Sequence, residues 1–396
     1  MNILQINTVY KTGSTGRIAQ ELNNIILNNG WQSYIAYGRG VHNEDNVIRI
    51  GNDIDMYMHA LGTRIFDKHG LYSEKVTVDF IKRIEKLNID IFHLHNIHGY
   101  YLHFPTLFQY LKDKKVIWTL HDCWPFTGHC AYYDFVQCNK WQDECCTCPQ
   151  KKSYPSSFLF DNSRENFKLK KEYFSSLSNL TIITPSRWLE NEVKKSFLAK
   201  YPMKTIHNGI DADIFKPTKS SFKNIYNIQN QFVILGVANV WDERKGLQYF
   251  LDISKNLESD EIIVLVGLNE KQQRSLPKSI LGFKRTDSVE ELVDIYSMAD
   301  VFVNPTLEDN FPTTNLESLA CGTPVITFDT GGSVESIDKN TGYIVPKEDI
   351  FGLYKAIKKV KSKGKKSFST SCREKALLMF DKNKNFEQYI KLYEAL

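Results

Sequence analysis

Three acids and two bases stand at spacings that could handle a charged ligand rich in hydroxyl groups. Glu308 and Asp309 follow a short apolar run, Val301 to Val303, that is stopped by Asn304-Pro305, and Glu317 lies in the helix-like segment beyond them. An ionised carboxylate only accepts hydrogen bonds, so paired carboxylates suit a ligand that presents several hydroxyls. Cys321-Gly322-Thr323-Pro324 closes the helix, Val325 to Phe328 reads as the next buried strand, and Thr330-Gly331-Gly332 follows it. Acids at a strand's carboxyl end and on the following helix face the crevice where parallel α/β sheets bind ligands. Upstream, Arg244 and Lys245 stand between a strand and a helix start, where cations oppose the helix dipole; that misfit favours an anionic ligand over plain surface placement. Gly331-Gly332 precedes a short helix, so its amides can face an anion, and Gly13-Ser14-Thr15-Gly16 takes the equivalent place after the first strand.

Histidine and cysteine form two further groups. His121 ends the run Trp118-Thr119-Leu120-His121-Asp122 at a strand's carboxyl end. There it can act as a hydrogen-bond donor and modest local charge, or be a core histidine satisfied by backbone. His93, His95, His98 and His103 surround Asn96 at the end of the preceding strand, where they line a site or simply cap the strand. Cys130, Cys138, Cys145, Cys146 and Cys148 cluster between Pro125 and Pro155. The spacing of Cys130, Cys138, Cys145 and Cys148 can supply four thiolates to a structural zinc, the alternative being a loop of reduced thiols. Cys321 and Cys372 read as small buried residues.

The order acid, helix, Cys-Gly-Thr-Pro-Val, Thr-Gly-Gly from Asp309 to Gly332 resembles the donor-site motif of retaining glycosyltransferases of the large family four, enzymes with the GT-B fold. Asp309 to Glu317 has that family's acid-x7-glutamate spacing, and Glu308 sits one residue too early. The resemblance implies that Asp309 holds hydroxyls of the transferred sugar, that Glu317 holds the nucleotide's ribose, and that Lys245 grips the diphosphate. It also implies donor contacts for Gly16, Arg244, Phe283, Gly331 and Gly332, and places His121 beside the donor sugar's reacting end. His207-Asn208-Gly209-Ile210-Asp211 looks like the family's hinge motif. Two positions depart from the pattern. Asn239 occupies the place of an arginine, so a neutral amide replaces a charge-assisted contact, with Arg244 as the neighbouring substitute. Pro312 lacks the amide hydrogen that the family's glycine offers, leaving the amides of Asn310, Phe311 and Thr313.

The activity implied is transfer, with retention and without a catalytic metal, of a hexose-type sugar from a nucleotide-diphosphate sugar. The implied acceptor is a glycan, lipid-linked, in bacterial capsule, exopolysaccharide or colanic-acid-type synthesis. Two rivals stay open: a nucleotide-sugar epimerase on the same fold, and a non-catalytic sugar-nucleotide-binding assembly partner motivated by Asn239 and Pro312.

These groups need a scaffold of alternating strands and helices. Ile3 to Val9, Ser33 to Tyr37, Ile89 to Leu94, Val116 to Leu120, Leu180 to Thr184 and Met203 to Ile206 read as strands of one α/β half, with helices such as 18–27 and 78–87 between them. Phe232 to Val237, Glu261 to Val266, Ile280 to Phe283, Asp300 to Val303 and Val325 to Phe328 repeat the grammar. At 396 residues the chain exceeds one ordinary core. The expectation is two Rossmann-like, doubly wound domains, 1–216 (with the cysteine insertion 125–155) and 217–381, facing a central cleft. A polar linker is expected through Asn230, and an amphipathic helix at 382–396 crossing back onto the first domain. A net charge of +4 is too mild to argue for nucleic acid. No apolar run reaches transmembrane length and the start does not read as a signal peptide, so a cytoplasmic chain is expected. Basic stretches 187–200 and 355–366 raise peripheral contact with anionic lipid, weighed against an ordinary solvated face.

Overall fold

The computed structural model describes all 396 residues, Met1–Leu396. They form two compact units, Met1–Ile206 with Phe386–Leu396, and His207–Asn385.

The first unit is built on strands β1 (Asn2–Val9), β2 (Gln32–Arg39), β3 (Val47–Arg49), β4 (Ile91–Leu94), β5 (Lys115–Thr119), β6 (Asn179–Thr184) and β7 (Met203–Thr205). Every pairing is parallel and the order is β3-β2-β1-β4-β5-β6-β7, so the winding direction reverses between β1 and β4. Both faces are covered, which is why successive residues of β4 and β5 are buried rather than alternate ones. The short strand β3 escapes notice in sequence because its three residues carry no readable period. The glycines 13 and 16 belong to the first turn of the helix Gly13–Asn28, not to a separate loop before it.

The second unit carries β8 (Phe232–Val237), β9 (Glu261–Val266), β10 (Ile280–Phe283), β11 (Val301–Asn304), β12 (Val325–Phe328) and β13 (Gly342–Val345). The order β10-β9-β8-β11-β12-β13 is again all parallel, with the reversal between β8 and β11. The units divide between Ile206 and His207, not at Pro217. Ile210 bridges to Asp381, and Ile210 and Phe215 are buried in the second core, so the His207–Asp211 segment is part of that unit. Residues expected as a linker likewise contribute: Phe222 and Ile228 are buried in the same core, flanking a short helix, Phe222–Ile225.

The last helix, Lys382–Glu394, begins in the second unit and its later residues belong to the first. Phe386, Tyr389 and Tyr393 are buried among Ile3, Leu22, Ile91, Ile117 and Ile183. The Tyr393 hydroxyl meets His93 Nδ1 at 2.6 Å, and Tyr389 meets the Thr119 hydroxyl at 3.2 Å. The basic stretches are not bare cationic faces. Lys194 and Lys195 pair with Glu190 and Glu192, and Lys358 and Lys361 pair with Glu258 and Glu261. No helix is long and apolar enough to cross a membrane.

Truncating Tyr393 removes a buried ring and leaves His93 without its hydroxyl partner. Tyr393→Ala is expected to lose about 3–5 kcal/mol of stability, and Tyr393→Phe about 1–3 kcal/mol, in urea unfolding. A Tyr393→Ala loss below about 1 kcal/mol would contradict the packing described.

Candidate functional site

In the second unit, β8 and β11 lie side by side at the reversal point, so the loops leaving their carboxyl ends emerge together. The β8 loop runs through Trp241, whose indole donates to the Val266 carbonyl at 2.9 Å, into the turn Glu243–Lys245. Asp242 caps that turn by accepting the Lys245 amide. Gly246 ends it at φ +76°, and a Cβ there would lie 2.2 Å from the Pro305 carbonyl oxygen. Only glycine lets the cationic turn sit against the start of the β11 loop.

Contact with Arg244 and Lys245 then organises the β11 loop. The Arg244 carbonyl accepts the Leu307 amide at 2.7 Å, and its guanidinium donates to the Glu308 carbonyl at 2.6 Å. Lys245 Nζ lies 2.5 Å from Asp309 Oδ2, with Arg244 3.8 Å from the same oxygen. Burial pushes the Asp309 carboxyl upward, but the Lys245 and Arg244 charges outweigh it and hold it below its ordinary value. Of the acid pair, Glu308 is fully buried while the Asp309 carboxylate keeps 14 % exposure and faces the cations.

The β12 loop closes the third side. The Gly332 amide donates to the Asp309 carbonyl at 2.9 Å, and Thr330 donates to the Leu307 carbonyl at 2.7 Å. Gly331 sits at φ +52°, and a Cβ there would fall 2.1 Å from the Asp309 carbonyl oxygen. Glu317, buried on the helix Thr313–Ala320, accepts the Tyr296 hydroxyl at 2.9 Å. Asn315 on the same helix ties to Asn304, Ser333 and Ser336, locking the helix between β11 and the β12 loop.

The structure thus gathers Arg244, Lys245, Asp309, Gly331 and Gly332, and positions Glu317 on the helix that follows the acid loop. Other expected donor residues have different employment. The Phe311 amide donates to the Asp309 carboxylate, and its ring stacks on His207 with centroids 4.7 Å apart, so that amide is not spare. Phe283 packs edge-on against Phe222 and Tyr226, and its carbonyl accepts the Gly267 and Leu268 amides. Asn239 is exposed at the end of β8. Pro312 takes the residue before the Thr313–Ala320 helix, where a missing N–H loses no helical bond. Thr313 begins that helix and is partly exposed, and Asn310 is buried. Sequence reading missed Tyr296, whose lone position inside the Val289–Met298 helix gives no motif.

In the first unit, His121 follows β5 beside the end of β4. Its Nε2 is 3.0 Å from His95 Nδ1, and His95 Nε2 is 3.1 Å from Gln5 Oε1. The Gln5 amide nitrogen donates to the Ala19 carbonyl, which leaves its oxygen to accept from His95. Proton logic then runs one way: His95 donates through Nε2, His121 donates through Nε2 to His95, and His121 Nδ1 is left as the lone-pair nitrogen. Burial pushes His121 down to about 4, so it is a neutral ring at neutral pH. This corrects the expected charge and donor role, because a desolvated imidazole does not hold a second proton. Gly16 lies in this unit, its carbonyl accepting the Lys11 amide at 3.1 Å. His98 pairs with buried Asp122 at 2.8 Å and with Tyr154 at 2.9 Å, a triplet that sequence distance concealed.

The comparisons agree with this architecture. Residues 36–214 match the family described as Glycosyltransferase Family 4, and residues 231–362 match Glycosyl transferases group 1. The chain is 24 % identical to a putative colanic acid biosynthesis glycosyl transferase, WcaC, of Escherichia coli strain K12, over 100 % of both chains. It is 27 % identical, over 51 % of this chain and 56 % of the relative, to an Escherichia coli UDP-Gal:alpha-D-GlcNAc-diphosphoundecaprenol alpha-1,3-galactosyltransferase. Among solved structures, sucrose-phosphate synthase from Thermosynechococcus elongatus superposes with TM-score 0.74 at 17 % identity, covering 100 % of this chain and 98 % of that one. Anabaena HepE in complex with UDP-glucose gives 0.69 at 14 %, covering 100 % of both. The fold is the GT-B α/β fold, and the matches support a glycosyltransferase of the polysaccharide-biosynthesis type.

Buried neutral histidines set an acid limit. His93, pushed down to about 3, and His121, pushed down to about 4, stay uncharged when folded but take a proton near pH 6.5 when unfolded. Between those values the unfolded chain binds more protons, so this contribution is whole above about pH 6.5 and falls as pH drops toward about 4. Thermal melts at pH 7.5, 6 and 5 should show a falling Tm; a flat Tm down to pH 5 would refute the burial of these rings as neutral groups.

Proposed function

We propose that this protein is a retaining glycosyltransferase that moves a hexose from a nucleotide-diphosphate sugar to a lipid-linked glycan acceptor in the synthesis of a bacterial surface polysaccharide. The observation that carries the reading is the Lys245–Asp309 pair, 2.5 Å apart, set beside Arg244 and against the Gly331-Gly332 turn. A cation pair and an acid in one place suit a diphosphate joined to a sugar. Lys245 and Arg244 would exchange Asp309 for the diphosphate when donor binds, which releases the acid to accept sugar hydroxyls. Glu317, oriented by Tyr296, would accept the ribose hydroxyls. As the glycosidic bond breaks, the leaving diphosphate gains negative charge, and fixed cations stabilise that charge more than they stabilise the bound donor.

The donor class draws support from the similar solved structure that holds UDP-glucose, the lipid-linked acceptor from the Escherichia coli galactosyltransferase, and the polysaccharide from the colanic acid enzyme. Retention rests on the family resemblance of the Asp309–Glu317 motif. The exposed Asn239, where the family has an arginine, favours one competing reading, a protein that binds sugar nucleotides without transferring them.

A thermal-shift screen of nucleoside diphosphates and their sugars tests the site, since a ligand that binds only the folded state must raise Tm. One diphosphate should stabilise the parent, and Lys245→Ala and Glu317→Ala should lose that shift. Transfer to an undecaprenyl-diphosphate-linked acceptor should fall at least about 100-fold in kcat/KM for Lys245→Ala. A folded Lys245→Ala variant that transfers at the parent rate would sink the assignment, and binding without transfer to any acceptor would favour the non-catalytic reading. Charge neutralisation by Lys245 and Arg244 also predicts full initial rates on addition of EDTA; an immediate loss would point to a required soluble metal.

A further inference from the structure

The segment between β5 and β6 holds the residues of greatest unexplained chemistry. A small cavity there is lined by Cys130, Cys138, Cys145, Cys146, Cys148 and His129, with room for about one water-sized sphere, about 10 Å³. None of the eight cysteines is in a disulfide. The Cys130 and Cys148 thiols are hydrogen-bonded to each other. The Gly128 amide donates to the Cys145 sulfur at 3.1 Å, a contact that a thiolate ligand accepts readily.

Two buried groups around the cavity lack what a metal centre would provide. His129 is held through Nδ1 by the Asp67 carboxylate, both side chains fully buried, while its Nε2 is buried with no hydrogen-bond partner. A carboxylate on one imidazole nitrogen with the other nitrogen left for coordination is the usual setting of a zinc-bound histidine. Lys170 is the second. Its ammonium is buried, bonded to the Trp124 and Thr127 carbonyls at 2.8 and 2.9 Å and set over the Trp124 ring at 3.5 Å. It has no carboxylate at ion-pair distance, and Cys145, Cys130, Asp122 and Asp67 are the acidic groups whose charge would favour it. A buried cation without a direct ion-pair partner is unfavourable, and a divalent ion with three or four thiolates is a net anion.

We propose that this insertion is a structural metal site for one zinc-class ion, held by Cys130, Cys145 and Cys148 with Cys138 or His129 as the fourth donor. Soft thiolates in a tetrahedral set select such an ion over magnesium or calcium. The sulfurs surround the cavity without being closed to coordination spacing. The three-donor group with all atoms within 4.8 Å of one another is Glu258, Asp260 and Glu261, which Lys358 and Lys361 already neutralise. Binding therefore requires the thiols to draw inward as each loses its proton.

The test is elemental analysis of the full chain purified under reducing conditions and desalted after incubation with zinc. About one tightly held equivalent is expected, and Cys145→Ser/Cys148→Ser should lose it along with a measurable part of Tm. Below about half an equivalent in the parent would overturn the site, as would a Cys130–Cys148 disulfide found by mass spectrometry. Zinc retained in the double variant would place the metal elsewhere and also overturn it. Cobalt(II) substitution of the parent gives a reading that does not depend on the folding of that variant. Intense thiolate-to-cobalt absorption with tetrahedral bands, of either the four-sulfur or the three-sulfur-one-nitrogen type, supports the site. Weak octahedral bands refute it.

Discussion

The second unit's site depends on two places where one backbone runs directly against another. Gly246 lies against the Pro305 carbonyl, and Gly331 against the Asp309 carbonyl, each at a positive φ and each with less room than a single methyl group needs. These approaches, with the hydrogen bonds from Leu307 to Arg244 and from Gly332 to Asp309, join the loops after β8, β11 and β12 into one surface. The side chains follow from that. Lys245 meets Asp309 because the two loops cannot be drawn apart without breaking backbone bonds. A half-buried ion pair of this kind adds little net stability, since desolvation offsets much of its attraction. Its value to the fold is small, and its value as a preformed charge arrangement is larger.

The first unit solves a different problem, that of polar groups in a dry interior. His93, His95, Gln5 and Thr119 are all buried, and each finds a partner: His93 on Tyr393 and Thr119, His95 on Gln5 and His121. Burial keeps the rings neutral, so each ring has one nitrogen to donate and one to accept, and the Gln5 oxygen then sets the tautomers of His95 and His121. The last link comes from the far end of the sequence. Tyr389 and Tyr393 supply hydroxyls from the terminal helix, which makes that helix a structural component of the first unit rather than an appendage.

The departures from the family pattern have local explanations. Pro312 sits at a helix start, where an absent N–H removes no helical bond, and the Phe311 amide is spent on the Asp309 carboxylate. The acid loop therefore orients its own carboxylate with an amide that the pattern would assign to ligand. The turn that presents Lys245 also presents Arg244 to the same Asp309 oxygen, whereas Asn239 is exposed.

Sequence by itself determined the alternation of buried strands and helices and most strand positions, because apolar runs flanked by glycine and proline reflect local backbone preference. It also singled out Asp309, Glu317, Lys245 and the paired glycines, each read within its own strand–loop–helix stretch. What only the tertiary structure decided lies between residues far apart in the chain. Tyr296 on Glu317, Asp122 on His98, Asp67 on His129 and Tyr393 on His93 carry no signal at fixed spacing. The same holds for His121: its residue type allows donor, acceptor or cation, and only its burial against His95 makes it a neutral ring with Nδ1 as the lone-pair nitrogen. Protonation and partnership depend on what surrounds a side chain in space, and a linear pattern does not contain that.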